Sequence, residues 1–277
     1  MFRMLHAEGY KLKKSKSFYI CSIIMLCFVI LLFVMLYFAD RIQKGNMENG
    51  TGGIVITANG TEVESGSVPV WDSVSLMELL QQIFAGSMLS CTIAIFVSIF
   101  VTGEYGSGMI KNVVGKGCSR ASIYLSKLFM TECASVCIAF SGIISMLLFG
   151  RIFLGTHVFG GDFWHNFFIY TGIQLVIMVS MTALFMMVSE ICRTIAGGIS
   201  LNIGIILFSV LFINGMDVVF ANSSFKPSDI WLIGQTERLP LEEFTSGLVI
   251  QDMLVAAVWF FAATLLGIWH FYKTDVK

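Results

Sequence analysis

The 277 residues are 56% hydrophobic and only 13% charged, with 25 Phe and 16 Met against 3 Pro, whereas a soluble domain carries ~25% charge. Mean hydropathy is +0.83 and the formal net charge is −1. This balance excludes an ordinary soluble enzyme, a secreted disulfide module and a disordered tail, and its net charge offers nothing to a nucleic acid; it leaves an all-α polytopic membrane protein.

A spanning helix needs about 20 mostly apolar residues, because the hydrocarbon core is ~30 Å thick. Six stretches qualify. Residues 1–17 come before the first of them and set Leu5, Tyr10 and Leu12 among lysines. That pattern predicts a short interfacial helix, against the plainer reading of a basic flank. The first span, 18–39, follows Lys11, Lys13, Lys14 and Lys16. It is too long for the ~7–15-residue core of a signal peptide, so a retained helix is expected. Residues 40–82 form a long connection. Within it Ile54-Val55-Ile56-Thr57 comes just before Asn59-Gly60, which predicts a small β-hairpin.

The second span is 83–102. The connection 103–127 carries Met109, Ile110, Val113 and Val114 at helical spacing, punctuated by Lys111, Lys116 and Arg120. A brief amphipathic helix here would dock on a partner, against the reading of an ordinary basic loop. The third span is 128–149 and the fourth 167–189. The fifth, 195–214, is the most polar, with Gly197, Gly198, Ser200, Asn202 and Gly204. Residues 215–250 hold the apolar patch Ile230-Trp231-Leu232-Ile233, which fits short half-helices at the interface. The sixth span is 252–272.

Charge asymmetry orients the chain. With the N-terminus inside, only Arg41, Lys44, Arg151, Lys226 and Arg238 of the 17 Lys and Arg lie outside. Both termini are therefore expected in the cytoplasm. The 7 cysteines all fall in spans or inner connections, so structural disulfides are not expected.

Glu132 is the one acid well inside a span. It is read as a proton or substrate site, or as a packing residue that reaches toward water. Small residues recur every four positions at Ser90, Ala94, Ser98 and Thr102, and again at Cys133, Cys137, Ser141 and Ser145. Such stripes let helices approach closely, within the chain or between subunits. Asn202 is placed to hydrogen-bond a neighbouring helix or, less directly, a substrate. His157 and His165, with Asp162 between them, have the wrong spacing for a metal. Gly115-Lys116-Gly117 lacks the rest of a phosphate-binding loop, and no catalytic triad or zinc motif appears.

The order Glu104-Tyr105, Gly108, Ile110-Lys111, Ser119-Arg120 and Lys127 resembles that of permeases of type-2 ATP-binding-cassette (ABC) transporters, of the bacitracin and lantibiotic export or immunity kind. Glu8, Tyr10-Lys11 and Lys16-Ser17 resemble the same family. Gly117-Cys118 departs from it, where many relatives carry proline. The resemblance implies a single transmembrane domain over 1–277, with an elbow helix at 1–17, a first extracellular loop at 40–82, a coupling-helix loop at 103–127 and an extracellular segment at 215–250. It implies contact with a separate ATPase through Glu104, Tyr105, Gly108, Ile110, Lys111, Ser119 and Arg120, and a smaller contact through 190–194. A second permease copy or a paralogous permease would complete the path. ATP and Mg would sit on the ATPase, with no cofactor on this chain and no enzymatic activity of its own. The expected protein is a multi-pass exporter of the bacterial plasma membrane, moving an antimicrobial peptide or amphipathic compound. The rival is an ion-coupled secondary transporter or channel, for which Glu132 and Asn202 are the intramembrane polar candidates.

Overall fold

A computed structural model describes residues 2–48, 74–85, 87–106, 119–155, 160, 163–219, 227–239, 244 and 246–273. The fold is all-α, and six helical spans are long and apolar enough to cross a membrane. Among the described residues there is no strand. The hairpin expected near Asn59-Gly60 lies outside them.

The basic N-terminal segment is a helix of its own, α1 (Phe2–Lys14). It stops at Ser15, whose N–H bonds the Leu12 carbonyl at 3.1 Å, and α2 (Lys16–Glu48) begins at once. α2 buries Cys21, Met25, Val29 and Phe33 at a four-residue spacing and leaves Ile20, Ile24, Leu31 and Met35 exposed. An apolar face with no protein against it is what a helix bordering lipid presents.

The second span differs from the single stretch expected. It is two helices, α3 (Leu76–Ala85) and α4 (Met88–Gly106), separated where Ser87 takes a positive φ of 58°. α3 starts with a reciprocal cap: the Ser75 hydroxyl accepts the Met77 N–H at 3.1 Å and the Glu78 carboxylate accepts the Ser75 N–H at 3.2 Å. Nearly the whole of α3 is buried, from Leu76 to Phe84.

α5 (Arg120–Phe153) has 34 residues, which at 1.5 Å each is about 50 Å and exceeds the hydrocarbon core. Its first turns therefore belong to the connection 103–127 as read from composition. α6 (Phe163–Cys192) is the central helix, packed by α4, α5, α7 and α9. α7 (Ile195–Val219) follows after two residues, with Arg193 at φ 57° and the Thr194 hydroxyl accepting the Gly197 N–H. α7 runs five residues past the expected end, into 215–250.

Among the described residues beyond α7, a 3-10 turn (Pro227–Asp229) buries Ser228, and α8 (Leu232–Arg238) is buried from Leu232 to Thr236. Gly234 permits this, since a Cβ there would lie 2.6 Å from the Ser228 Cα. Leu232 and Ile233 are buried while Ile230 is exposed, so the apolar patch is partly core. α9 (Ser246–Lys273) lies along α6, and the Ser180 hydroxyl donates to the Ala256 carbonyl at 2.7 Å.

Candidate functional site

The ends of α1, α4, α5 and α6 meet at the end of the bundle that carries α1 and the end of α9, called here the terminal end. Each of those helices brings a charged residue there. Lys127, two turns into α5, is 1% exposed. Its ammonium lies 3.1 Å from Glu104 Oε2 on α4 and 3.2 Å from Glu190 Oε1 on α6. Glu104 Oε1 also accepts from Lys11 Nζ on α1 at 2.5 Å, and Lys11 reaches Glu8 at 2.9 Å. The Tyr105 hydroxyl donates to the second Glu190 oxygen. Lys127 and Arg193 each lie 5.6 Å from the Tyr105 ring centroid, within cation–π range.

Three acids and three bases therefore balance in one cluster. Desolvating an ion costs several kcal/mol, and the low-dielectric interior repays it only where each charge has good partners. Lys127 has two carboxylates and an aromatic face. Burial pulls the Lys11 ammonium down, but Glu104 and then Glu8 outweigh it, and its pKa lies above the ordinary lysine value.

Of the expected coupling residues, Glu104 and Tyr105 sit inside this cluster. Ser119 is the N-cap of α5, its hydroxyl accepting the Ser122 N–H at 3.3 Å. Arg120 donates to the carbonyls of Phe271 at 3.3 Å and Tyr272 at 2.9 Å. A cation there satisfies the free carbonyls at the end of α9. Gly108, Ile110 and Lys111 lie in 107–118, outside the described residues. Both stems of that segment are thus pinned: the first to α1, α5 and α6, the second to α9. Glu190 and Arg193 entered the sequence reading only as members of a short loop. What marked them was a charge at the very end of an apolar span.

Asn202 acts between helices. Its Nδ2 donates to Ser98 Oγ at 2.9 Å, Ser189 Oγ at 3.0 Å and the Phe185 carbonyl at 3.2 Å, joining α7 to α4 and α6. The small residues of α4 serve that packing: Ala94 and Ser98 are fully buried, and Gly198 of α7 has room for no more than a 3.3 Å approach of a Cβ to Ser98. The stripe on α5 behaves differently, with Cys137 exposed and Ser145 buried. Glu132 has both carboxyl oxygens buried without a partner among the described residues.

At the opposite end Arg238 pairs with Asp229 and, at 2.7 Å, with Asp252, tying α8 to α9. Gln174 of α6 donates to the Thr236 carbonyl at 3.1 Å. Trp259 donates to the Ile230 carbonyl at 2.9 Å and stands edge-to-face on Trp231 at 4.8 Å.

The chain matches the family model described as ABC-2 family transporter protein over residues 4–213. Every member of the charge cluster falls within that span. No curated protein matches the chain.

Proposed function

The chain belongs to the ABC-2 family of transporter proteins, as a membrane-spanning permease component and not a nucleotide-binding one, and on that premise we propose that its terminal end faces the cytosol and receives the stroke of a separate ATPase through residues 107–118. The observation that carries this reading is the placement of Lys127. A loop transmits a push only if its stems cannot yield separately. Lys127 holds the end of α4 to the end of α6, Lys11 adds α1, and Arg120 adds α9. A force on 107–118 therefore acts on five helices together.

ATP and Mg belong to the ATPase in this reading. A second permease, identical or paralogous, completes the translocation path, and the membrane is the bacterial plasma membrane. The direction is export. The substrate class is an antimicrobial peptide or a comparable amphipathic compound, supported by the acids Glu48, Glu62, Glu64 and Asp72 between the first two spans, which would gather cationic peptides outside.

The test is reconstitution with the ATPase. Lys111→Glu and Arg120→Glu are expected to abolish transport and weaken co-purification of the two proteins. If both variants transport normally, or if the isolated chain transports under an ion gradient without ATP, the reading is wrong.

A further inference from the structure

The terminal end carries four lysines that the charge cluster does not use: Lys13 and Lys14 at the end of α1, Lys16 at the start of α2 and Lys273 at the end of α9. All four are exposed, and none forms an ion pair among the described residues. The acids of that end are already engaged. Glu8, Glu104 and Glu190 hold Lys11 and Lys127, and none of the three is exposed. Glu8 is also the only acid before Asp40 in the sequence. Beyond Lys273, Asp275 and Lys277 lie outside the described residues and offset each other in charge. The exposed surface of this end is therefore cationic.

Depth decides what these cations face. Lys16 opens the first membrane span and Lys273 closes the last. The first turn of α5 touches both neighbours, Ser122 meeting Met4 of α1 and Arg120 meeting Tyr272 of α9. Four aromatic rings stand exposed beside the lysines: Tyr10 at 63%, Tyr19 at 51%, Trp269 at 61% and Tyr272 at 58%. Exposed Tyr and Trp at the end of a span belong in the headgroup layer, where one edge is apolar and the other wet. Two of the rings hold an ammonium at that depth. Lys14 Nζ lies 5.9 Å from the Tyr10 ring centroid and Lys273 Nζ 5.2 Å from that of Trp269, both within cation–π range. The Tyr19 hydroxyl donates to the Lys13 carbonyl at 3.0 Å and so fixes the corner that groups Lys13, Lys14 and Lys16. A soluble protein would have to displace lipid to reach this layer, whereas the phosphates of a bilayer already lie in it.

We propose that Lys13, Lys14, Lys16 and Lys273, with the rings of Tyr10, Tyr19 and Trp269, form a binding surface for the headgroups of anionic phospholipids. The ammoniums meet phosphate oxygens as point charges, and the rings lie against the glycerol region. A zwitterionic lipid also carries a phosphate, but its own cation offsets it, so the surface selects lipids of net negative charge. The inference requires only that the spans cross a bilayer, and it stands whether or not an ATPase drives the chain.

Electron spin resonance on the full chain in phosphatidylcholine vesicles tests it, with spin-labelled phosphatidylglycerol or spin-labelled phosphatidylcholine as the probe. The wild-type chain is expected to immobilise the anionic probe preferentially, and the preference is expected to weaken as salt is raised. Lys13→Gln, Lys14→Gln, Lys16→Gln and Lys273→Gln together are expected to remove most of the preference, and arginine at the same four positions to keep it. Lys13→Gln with Lys14→Gln is expected to remove part of it, which keeps the test decisive if the fourfold variant does not fold. Arg41→Gln with Arg151→Gln, exposed cations of the opposite end, is expected to leave it unchanged. Glycerol phosphate dissolved in the water is expected to compete no better than sodium chloride of equal ionic strength; stronger competition would make this a site for a free phosphate ester and overturn the lipid assignment. No preference in the wild type, a preference that survives the glutamine substitutions, or one that follows Arg41 and Arg151 overturns the surface. A glutamine variant that keeps its lipid preference and instead loses the ATPase assigns these lysines to a protein partner.

Discussion

Lys127 shows what a single buried ion demands of its surroundings. Its two carboxylate partners come from helices on either side, and neither is satisfied by it alone: Glu104 also takes Lys11, and Glu190 also takes the Tyr105 hydroxyl. Lys127→Met leaves two buried acids short of a cation. The expected cost is ~3–5 kcal/mol, read as a fall in the midpoint of thermal unfolding in detergent. Adding Glu190→Gln is expected to recover part of it, because one orphaned charge is then removed. Asn202 is the neutral counterpart. Asn202→Leu strips donors from Ser98, Ser189 and the Phe185 carbonyl, and a loss of ~1–3 kcal/mol is expected by the same measurement.

At the scale of elements, α1 is held by the apolar packing of Met4 and Leu12 and by the charge of Lys11, and pH tests the charged part. The Lys11 pKa lies above its ordinary value. Its contribution is therefore complete below the ordinary lysine range and disappears as pH rises through the folded value. α1 is expected to stay docked through neutral and mildly alkaline solution and to loosen only in strong alkali, read by a fluorescent label at Tyr10→Cys, an exposed position. The opposite end has the reverse sign. Burial, then Asp217, pushes the Glu237 carboxyl above the ordinary carboxylate range. The folded form binds its proton more tightly, so the ionised group costs stability above the folded pKa and the cost is relieved as pH falls through it. Glu237→Gln is expected to raise the unfolding midpoint at neutral pH and to flatten its dependence in mild acid. Gly234→Ala is expected to displace the 3-10 turn from α8, since the clash is with Ser228 backbone and not with a flexible tip.

For the molecule as a whole, the six spans were legible because bilayer thickness fixes their length, and each expected stretch lies within or overlaps an observed helix. The break in the second span was not legible from hydropathy, which averages across Gly86-Ser87. The cap that starts α3 was written in plain sight as Ser75-Leu76-Met77-Glu78. The helical extensions at the terminal end were lost for a related reason, since polar residues continue a helix without adding to an apolar count. The partners of Lys127 were out of reach. Lys11 and Glu104 are 93 residues apart, and Lys127 and Glu190 are 63 apart; only the packing of six helices brings them together. Glu132 and Asn202 were both marked by polarity in an apolar run, yet the structure separates them, one with no partner among the described residues and the other with three.

Such spacing also sets an order of assembly. The ribosome delivers Lys11 first, Glu104 with the second span, Lys127 with the third and Glu190 only at the close of the fourth. A nascent chain stopped after α5 already sets Glu8 and Glu104 against Lys11 and Lys127, and Lys127 lacks only its second carboxylate. Stalled chains ending before Glu104 are expected to leave the N-terminal helix open to added protease, and chains that include α5 to protect it. Glu190 would then close the cluster in one late step, fixing the fourth span against helices already in place.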